Sequence, residues 1–111
     1  MDYIETEIII HPLSVNECWK GRRFKTPAYK SYEKELCALL PRQKMIKGMV
    51  KVDFFFGHPN AMKTDVDNLL KPLLDIITKA GYIEDDRYVM ELSAKKEKTD
   101  IAGIRIKITK L

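Results

Sequence analysis

Met49-Val50-Lys51-Val52-Asp53-Phe54-Phe55-Phe56 is followed at once by Gly57-His58-Pro59-Asn60. Successive side chains on a strand point to opposite faces, so the alternation reads as a half-buried strand with Val50, Val52, Phe54 and Phe56 inward. The Gly-His-Pro-Asn run supplies the turn that ends it. Near Asp67 the period changes. Leu69, Leu70, Leu73, Leu74 and Ile77 recur at helical spacing, and Gly81 stands where a helix C-terminus wants a glycine. Pro72 has to lie in or just after the first turn, because a proline in a helix interior costs about 3 kcal/mol. Thr64 and Asp67 resemble a capping pair. Downstream, Tyr88 to Lys95 and Ile101 to Lys110 read as two strands joined by a turn through Glu97-Lys98-Thr99-Asp100. Upstream, Tyr3 to Ile10 reads as a strand with Ile4, Ile8 and Ile10 on one face. Tyr29, Tyr32, Leu36, Leu39 and Leu40 predict a helix over 28–40, which Pro41 closes or kinks. The order β-α-β-α-β-β implies a small α/β domain of the α+β kind, with one mixed sheet and both helices packed on it. At 111 residues, the chain is expected to be a single domain over 1–111.

The composition narrows the function classes. A hydrophobic share of 45% and a charged share of 32% exclude a globally disordered chain. No apolar run nears the roughly 18 residues that span a bilayer, and the start, Met1-Asp2-Tyr3-Ile4-Glu5, is acidic where a signal peptide is basic. The expectation is a cytoplasmic protein without a membrane partner. Cys18 and Cys37 form no metal or disulfide pattern and read as two thiols. His11 and His58 are far apart in sequence, and His58-Pro59-Asn60 reads as turn chemistry rather than catalysis. Ser14 has no nearby His to act as its base.

Charge is divided along the chain. Residues 20–51 carry ten Lys or Arg against Glu33 and Glu35, a net of +8. Residues 65–86 carry six acids against Lys71 and Lys79, a net of −4. A charge run commonly marks a solvated face. In Lys20-Gly21-Arg22-Arg23-Phe24-Lys25, however, cations and aromatics interleave inside the aperiodic stretch 11–27, which suits a polyanion. That stretch is long for a structural connection, which suggests a functional loop. Trp19 and Phe24 read either as base-stacking groups or as anchors for it. Phe55 faces away from Phe54 and Phe56, toward a partner subunit, DNA or a second layer.

The acidic segment would repel a polyanion, and a divalent cation would explain it. Asp65 and Asp67 flank one residue at a helix entry, a position that suits either a cap or a magnesium ligand. A helix over 68–80 is about 20 Å long. The extended run from Gly81 to Asp86 returns about 17 Å. If it doubles back, Asp86 arrives beside Asp65 and Asp67; otherwise Asp85 and Asp86 are a solvated turn. Lys71 lies one turn from Asp67 and one from Asp75. It is either part of an i,i+4 ion-pair ladder or a cation aimed at a metal-bound phosphate.

Asp65-Val66-Asp67-Asn68-Leu69-Leu70-Lys71, then Asp75, Ala80-Gly81-Tyr82-Ile83 and Asp85-Asp86, resemble the RusA family of Holliday-junction resolvases. Pro12-Leu13-Ser14-Val15-Asn16 with Trp19 is similar to that family's opening loop. The resemblance spans essentially the whole chain. It implies a bacterial or phage-encoded homodimer that binds four-way DNA junctions and cuts two opposing strands with Mg²⁺ or Mn²⁺, without a small-molecule cofactor. It assigns the essential acids to Asp65, Asp67 and Asp86 and the essential lysine to Lys71, with Asn68 and Asp85 in support. Lys20, Arg22, Arg23, Lys25 and Lys30 are the expected DNA contacts. The rival expectation is a non-catalytic accessory protein that binds branched or single-stranded DNA through a degenerate site.

Overall fold

The alternating stretch around residue 50 becomes the interior strand of a four-stranded sheet. The computed structural model describes residues 3–13, 19, 20, 24–63 and 65–111. In chain order the elements are β1 (Tyr3–Ile8), β2 (Trp19–Lys20), β3 (Phe24–Lys25), α1 (Pro27–Leu39), β4 (Val50–His58), α2 (Asp67–Lys79), β5 (Val89–Lys98) and β6 (Gly103–Lys110). Short 3₁₀ turns at Ala61–Lys63 and Asp86–Tyr88 precede α2 and β5. The sheet order is β1-β6-β4-β5. β4 runs parallel to β5 and antiparallel to β6, so the sheet is mixed, as expected.

The predicted inward face of β4 is buried in full, and Ile104, Ile106 and Ile108 from β6 join it with Ile4 and Ile8 from β1. Tyr29, Tyr32 and Leu36 of α1 and Leu69, Leu73, Ile76 and Ile77 of α2 complete one core cluster. The opposite face of the sheet is polar and internally matched. Glu7 meets Arg105, the Arg105 guanidinium lies 5.1 Å from the centre of the Phe55 ring, and the Ser93 hydroxyl donates to Asp53. Half-buried Phe55 is thus covered by a cross-strand neighbour of the same chain.

Several boundaries differ from the sequence expectation. β1 ends at Ile8, although Ile10 is still buried. Residues 86–88 coil into a 3₁₀ turn, so β5 starts at Val89 and then continues to Lys98. β6 begins at Gly103 rather than Ile101. Leu39 is exposed while Leu40 is buried, and Leu40 has left the helix with extended backbone, as a following proline favours. Pro41 therefore closes α1 without kinking it. The aperiodic stretch 11–27 is not wholly unpaired: Trp19 pairs with Lys25 and Lys20 with Phe24 in a short antiparallel ladder.

Consecutive strands β5 and β6 do not pair; β4 lies between them. Residues 99–102 must therefore cross the end of β4. The Thr99 N–H donates to the His58 carbonyl, and a Cβ at Gly57 would stand 2.7 Å from Thr99 Oγ1. A side chain there would collide with the crossing.

α2 ends in a Schellman motif. The Tyr82 N–H bonds to the Ile77 carbonyl and the Gly81 N–H to Thr78, with Gly81 at φ +83°. Nothing lies within 4 Å of where a Gly81 Cβ would sit, so only conformation opposes a side chain there. Gly81→Ala should cost about 1–2 kcal/mol of stability and lower the melting temperature by several degrees in thermal unfolding. An unchanged melting temperature would show that the reversal does not need a left-handed residue.

Candidate active site

Asp65 and Asp67 stand at the head of α2, exposed. The capping reading does not hold for them. The N-cap is Val66, which makes no side-chain cap bond, and the first free amides are met by backbone instead: Asn68 N–H to the Asp65 carbonyl and Leu69 N–H to the Val66 carbonyl. Thr64 lies outside the described residues. Asp67 as the first helical residue still gains from the helix dipole, yet among the described residues neither carboxylate has a hydrogen-bond or ion-pair partner. Pro72, buried as the sixth residue of α2, leaves the Asn68 carbonyl without its helical N–H.

From Gly81 the chain turns back along α2, as its length allows. Tyr82 and Ile83 are buried; the Tyr82 hydroxyl donates to the Pro41 carbonyl and its own carbonyl accepts from Ile46 N–H, while Ile83 bridges to Ile46. Glu84 accepts from the Gly48 N–H at 2.7 Å. Asp85 caps the 3₁₀ turn by accepting from the Arg87 N–H at 3.1 Å. That hydrogen bond first, then the neighbouring Asp86 carboxyl, holds the Asp85 carboxyl below its ordinary range. The turn so fixed presents Asp86.

Asp86 meets Lys71. The lysine Nζ lies 3.2 Å from Asp75 Oδ1 and 3.6 Å from Asp86 Oδ2. Lys71 is therefore both a rung of an i,i+4 ladder and a tie between the helix and the returning chain. The hydrogen bond and charge of Asp75, reinforced by Asp86, raise its pKa above the ordinary 10.5. At neutral pH it is a cation and a donor, never a base. Its partners are partly exposed, so the pairs themselves contribute little stability.

Of the convergence expected of Asp65, Asp67 and Asp86, the structure shows the return of Asp86 to Lys71. Asp86 comes to the level of Lys71, one turn or about 6 Å along the helix from Asp67. Among the described residues no three His, Cys, Asp or Glu side chains gather closely enough to hold a metal ion. The donor chemistry nonetheless fits magnesium, which takes hard oxygens, usually only one or two from carboxylates, and leaves the others to water and substrate phosphate.

Of the expected DNA contacts, Lys30 is exposed on α1. Arg22 and Arg23, and the side chains of Lys20 and Lys25, lie outside the described residues. Two features escaped the sequence reading. Glu84, counted there among the cluster acids, serves as a backbone clamp. His11 and His58 meet: His11 Nδ1 and His58 Nε2 are 3.1 Å apart, and His58 Nδ1 accepts from the Asn60 N–H. Only the closing of β1 and β4 into one sheet brings those rings together, and no local spacing signals it.

Residues 14–109 match the family model described as Endodeoxyribonuclease RusA. Curated relatives bear the name crossover junction endodeoxyribonuclease RusA. The Aquifex aeolicus (strain VF5) protein is 34% identical over 94 residues, covering 79% of this chain and 73% of its own length. The protein of Enterobacteria phage HK97 is 26% identical over 111 residues, covering 94% of this chain and 92% of its own length. A third, from Lactococcus phage r1t, is 41% identical over 49 residues, covering 44% and 37%. No helix is long and apolar enough to cross a membrane among the described residues.

The lowered pKa of Asp85 means that its cap stabilises the fold above the unfolded carboxyl's value and is lost as pH falls through the folded value. The urea midpoint of Asp85→Ala should therefore lie below that of the parent near pH 7. The gap should close at pH values below 3.8, the ordinary value for Asp. A gap that persists undiminished in acid would show that the carboxylate is not the capping group.

Proposed function

Because the chain belongs to the RusA endodeoxyribonuclease family, we propose that it is a metal-dependent, structure-selective endodeoxyribonuclease that resolves four-way Holliday junctions by paired phosphodiester hydrolysis. The observation that carries this reading is the contact of Lys71 with Asp86, delivered by the return segment, on the helix headed by Asp65 and Asp67, which have no partner among the described residues. A non-catalytic DNA binder would gain nothing from facing such carboxylates toward phosphates.

Asp65, Asp67 and Asp86 would hold Mg²⁺, or Mn²⁺ in its place. When bound, the ion supplies charge neutralisation at the scissile phosphate and a more acidic water. The protein's own groups do the rest. Lys71, kept protonated by Asp75 and Asp86, presents its ammonium as a donor to the charge that builds on the phosphoryl oxygens. Asp75 holds that ammonium from one side, so it stays oriented when Asp86 is engaged elsewhere. Asp85 fixes the turn that carries Asp86, and Asn68 supports the same end of α2. Lys20, Arg22, Arg23, Lys25 and Lys30 grip the junction arms. The working species is a homodimer in the bacterial cytoplasm, from a bacterial or phage gene, since two-fold related sites suit a junction of near two-fold symmetry. No small-molecule cofactor takes part.

Incubation with a labelled four-way junction tests this directly. Symmetric nicks should form with Mg²⁺ and not with EDTA, whereas a bandshift without nicks under any divalent ion would favour the binder. Asp65→Asn, Asp67→Asn and Asp86→Asn should each abolish cutting while junction binding survives. Lys71→Ala should keep its melting temperature and lose about 10²–10³-fold in single-turnover cleavage. A Lys71→Ala protein that cuts at the parental rate would return the lysine to a purely structural ladder.

A further inference from the structure

Between β4 and α2 the chain forms one wall of a pocket of about 410 Å³ lined by Pro59, Asn60, Ala61, Met62, Lys96 and Lys98. That volume is in the range of pockets that hold small ligands. The opposite wall is the C-terminal end of β5, where Lys96 and Lys98, two residues apart, project from the same face of the strand. Both walls are fixed through His58. Its ring holds the Asn60 N–H and its carbonyl holds the Thr99 N–H just beyond β5. Met62 is 93% exposed, an unbranched, polarizable side chain with no packing duty. Met62 precedes Asp65 by three residues, so their Cα atoms are at most about 11 Å apart.

Two ammonium groups beside a soft apolar side chain, on the segment that leads into Asp65, match a single unit of a nucleic-acid strand: phosphate on one side, sugar and base on the other. We propose that this pocket is a DNA subsite that takes one nucleotide of a junction strand away from the cut position, its phosphate between Lys96 and Lys98 and its sugar and base against Met62 and Pro59. The inference rests on the endonuclease reading and adds to it a second contact surface on β5, separate from the basic 20–30 region. Lys98 makes no ion pair among the described residues, so its charge is available to the phosphate.

The two halves of the subsite leave different signatures. Each neutralised phosphate contact changes the slope of log K against log salt by about 0.9 on duplex arms. Because both lysines share one phosphate, the Lys96→Ala/Lys98→Ala protein should lose about 0.9 from that slope, not twice as much, in junction binding measured in EDTA. Met62→Ala should weaken binding several-fold with no change in slope, because an apolar contact releases no counterions. Both proteins should melt as the parent does, and Lys96→Arg/Lys98→Arg should restore the slope. Unchanged affinity and slope in the double alanine protein, while the parent still cuts junctions, would overturn the subsite and leave the endonuclease reading intact. Loss of slope in Met62→Ala would equally overturn it. A parent that neither binds nor cuts junction DNA would overturn both.

Discussion

At Gly81 a φ of +83° lets two amides close on the last carbonyls of α2, and the chain reverses along the helix it has just built. The placement of the returning acids depends on that reversal. It buries Tyr82 and Ile83, which pin residues 41–46. It brings Glu84 to Gly48 and ties down the approach to β4. It delivers Asp86 to Lys71. A helix that continued for one more turn would carry Asp86 away from Lys71 and from the head of α2.

The reversal also sorts those acids by task. Glu84 and Asp85 are occupied by backbone amides, Asp75 holds a lysine one turn away, and Asp86 alone of the returning pair reaches across to the helix. Asp65 and Asp67 remain without partners among the described residues, and backbone carbonyls already satisfy the amides at the start of α2. Like charges placed this densely repel one another. The arrangement limits that cost by engaging some of them and exposing the others to water.

Much of this was legible in the sequence because it rests on local periodicity. The inward faces of β4 and β6 follow from strict alternation, the helical stretch after Asp67 from its leucines, and the stop at Gly81 from the absence of a Cβ. Chain lengths allowed the return of Asp86 without requiring it, and they left its landing point open. That point depends on how far residues 82 and 83 sink into the core, which is a tertiary fact. The 3₁₀ turn at 86–88 and the longer β5 were missed for a related reason. Asp85 caps a turn only once Arg87 is placed, and β5 reaches Lys98 because β4 offers it a parallel partner through His58. The contact of His11 with His58 has no local signal at all.

The pairing of β1 with β6 joins the first described strand to the last, Tyr3 opposite Thr109 and Ile8 opposite Ile104. Such a sheet has a temporal order built into it. As the chain leaves a ribosome, β4 and β5 can pair around α2 early, but β6 emerges last and must insert between β4 and β1. Until then Ile4 and Ile8 have no strand to lie beside, and the antiparallel edge of β4 stands open. Long-range closure of this kind is slow compared with local helix formation, and an open strand edge is the surface on which unfinished chains associate. The nascent sheet is therefore most vulnerable in the interval between the synthesis of β1 and that of β6, when the helices are formed and the sheet is half built.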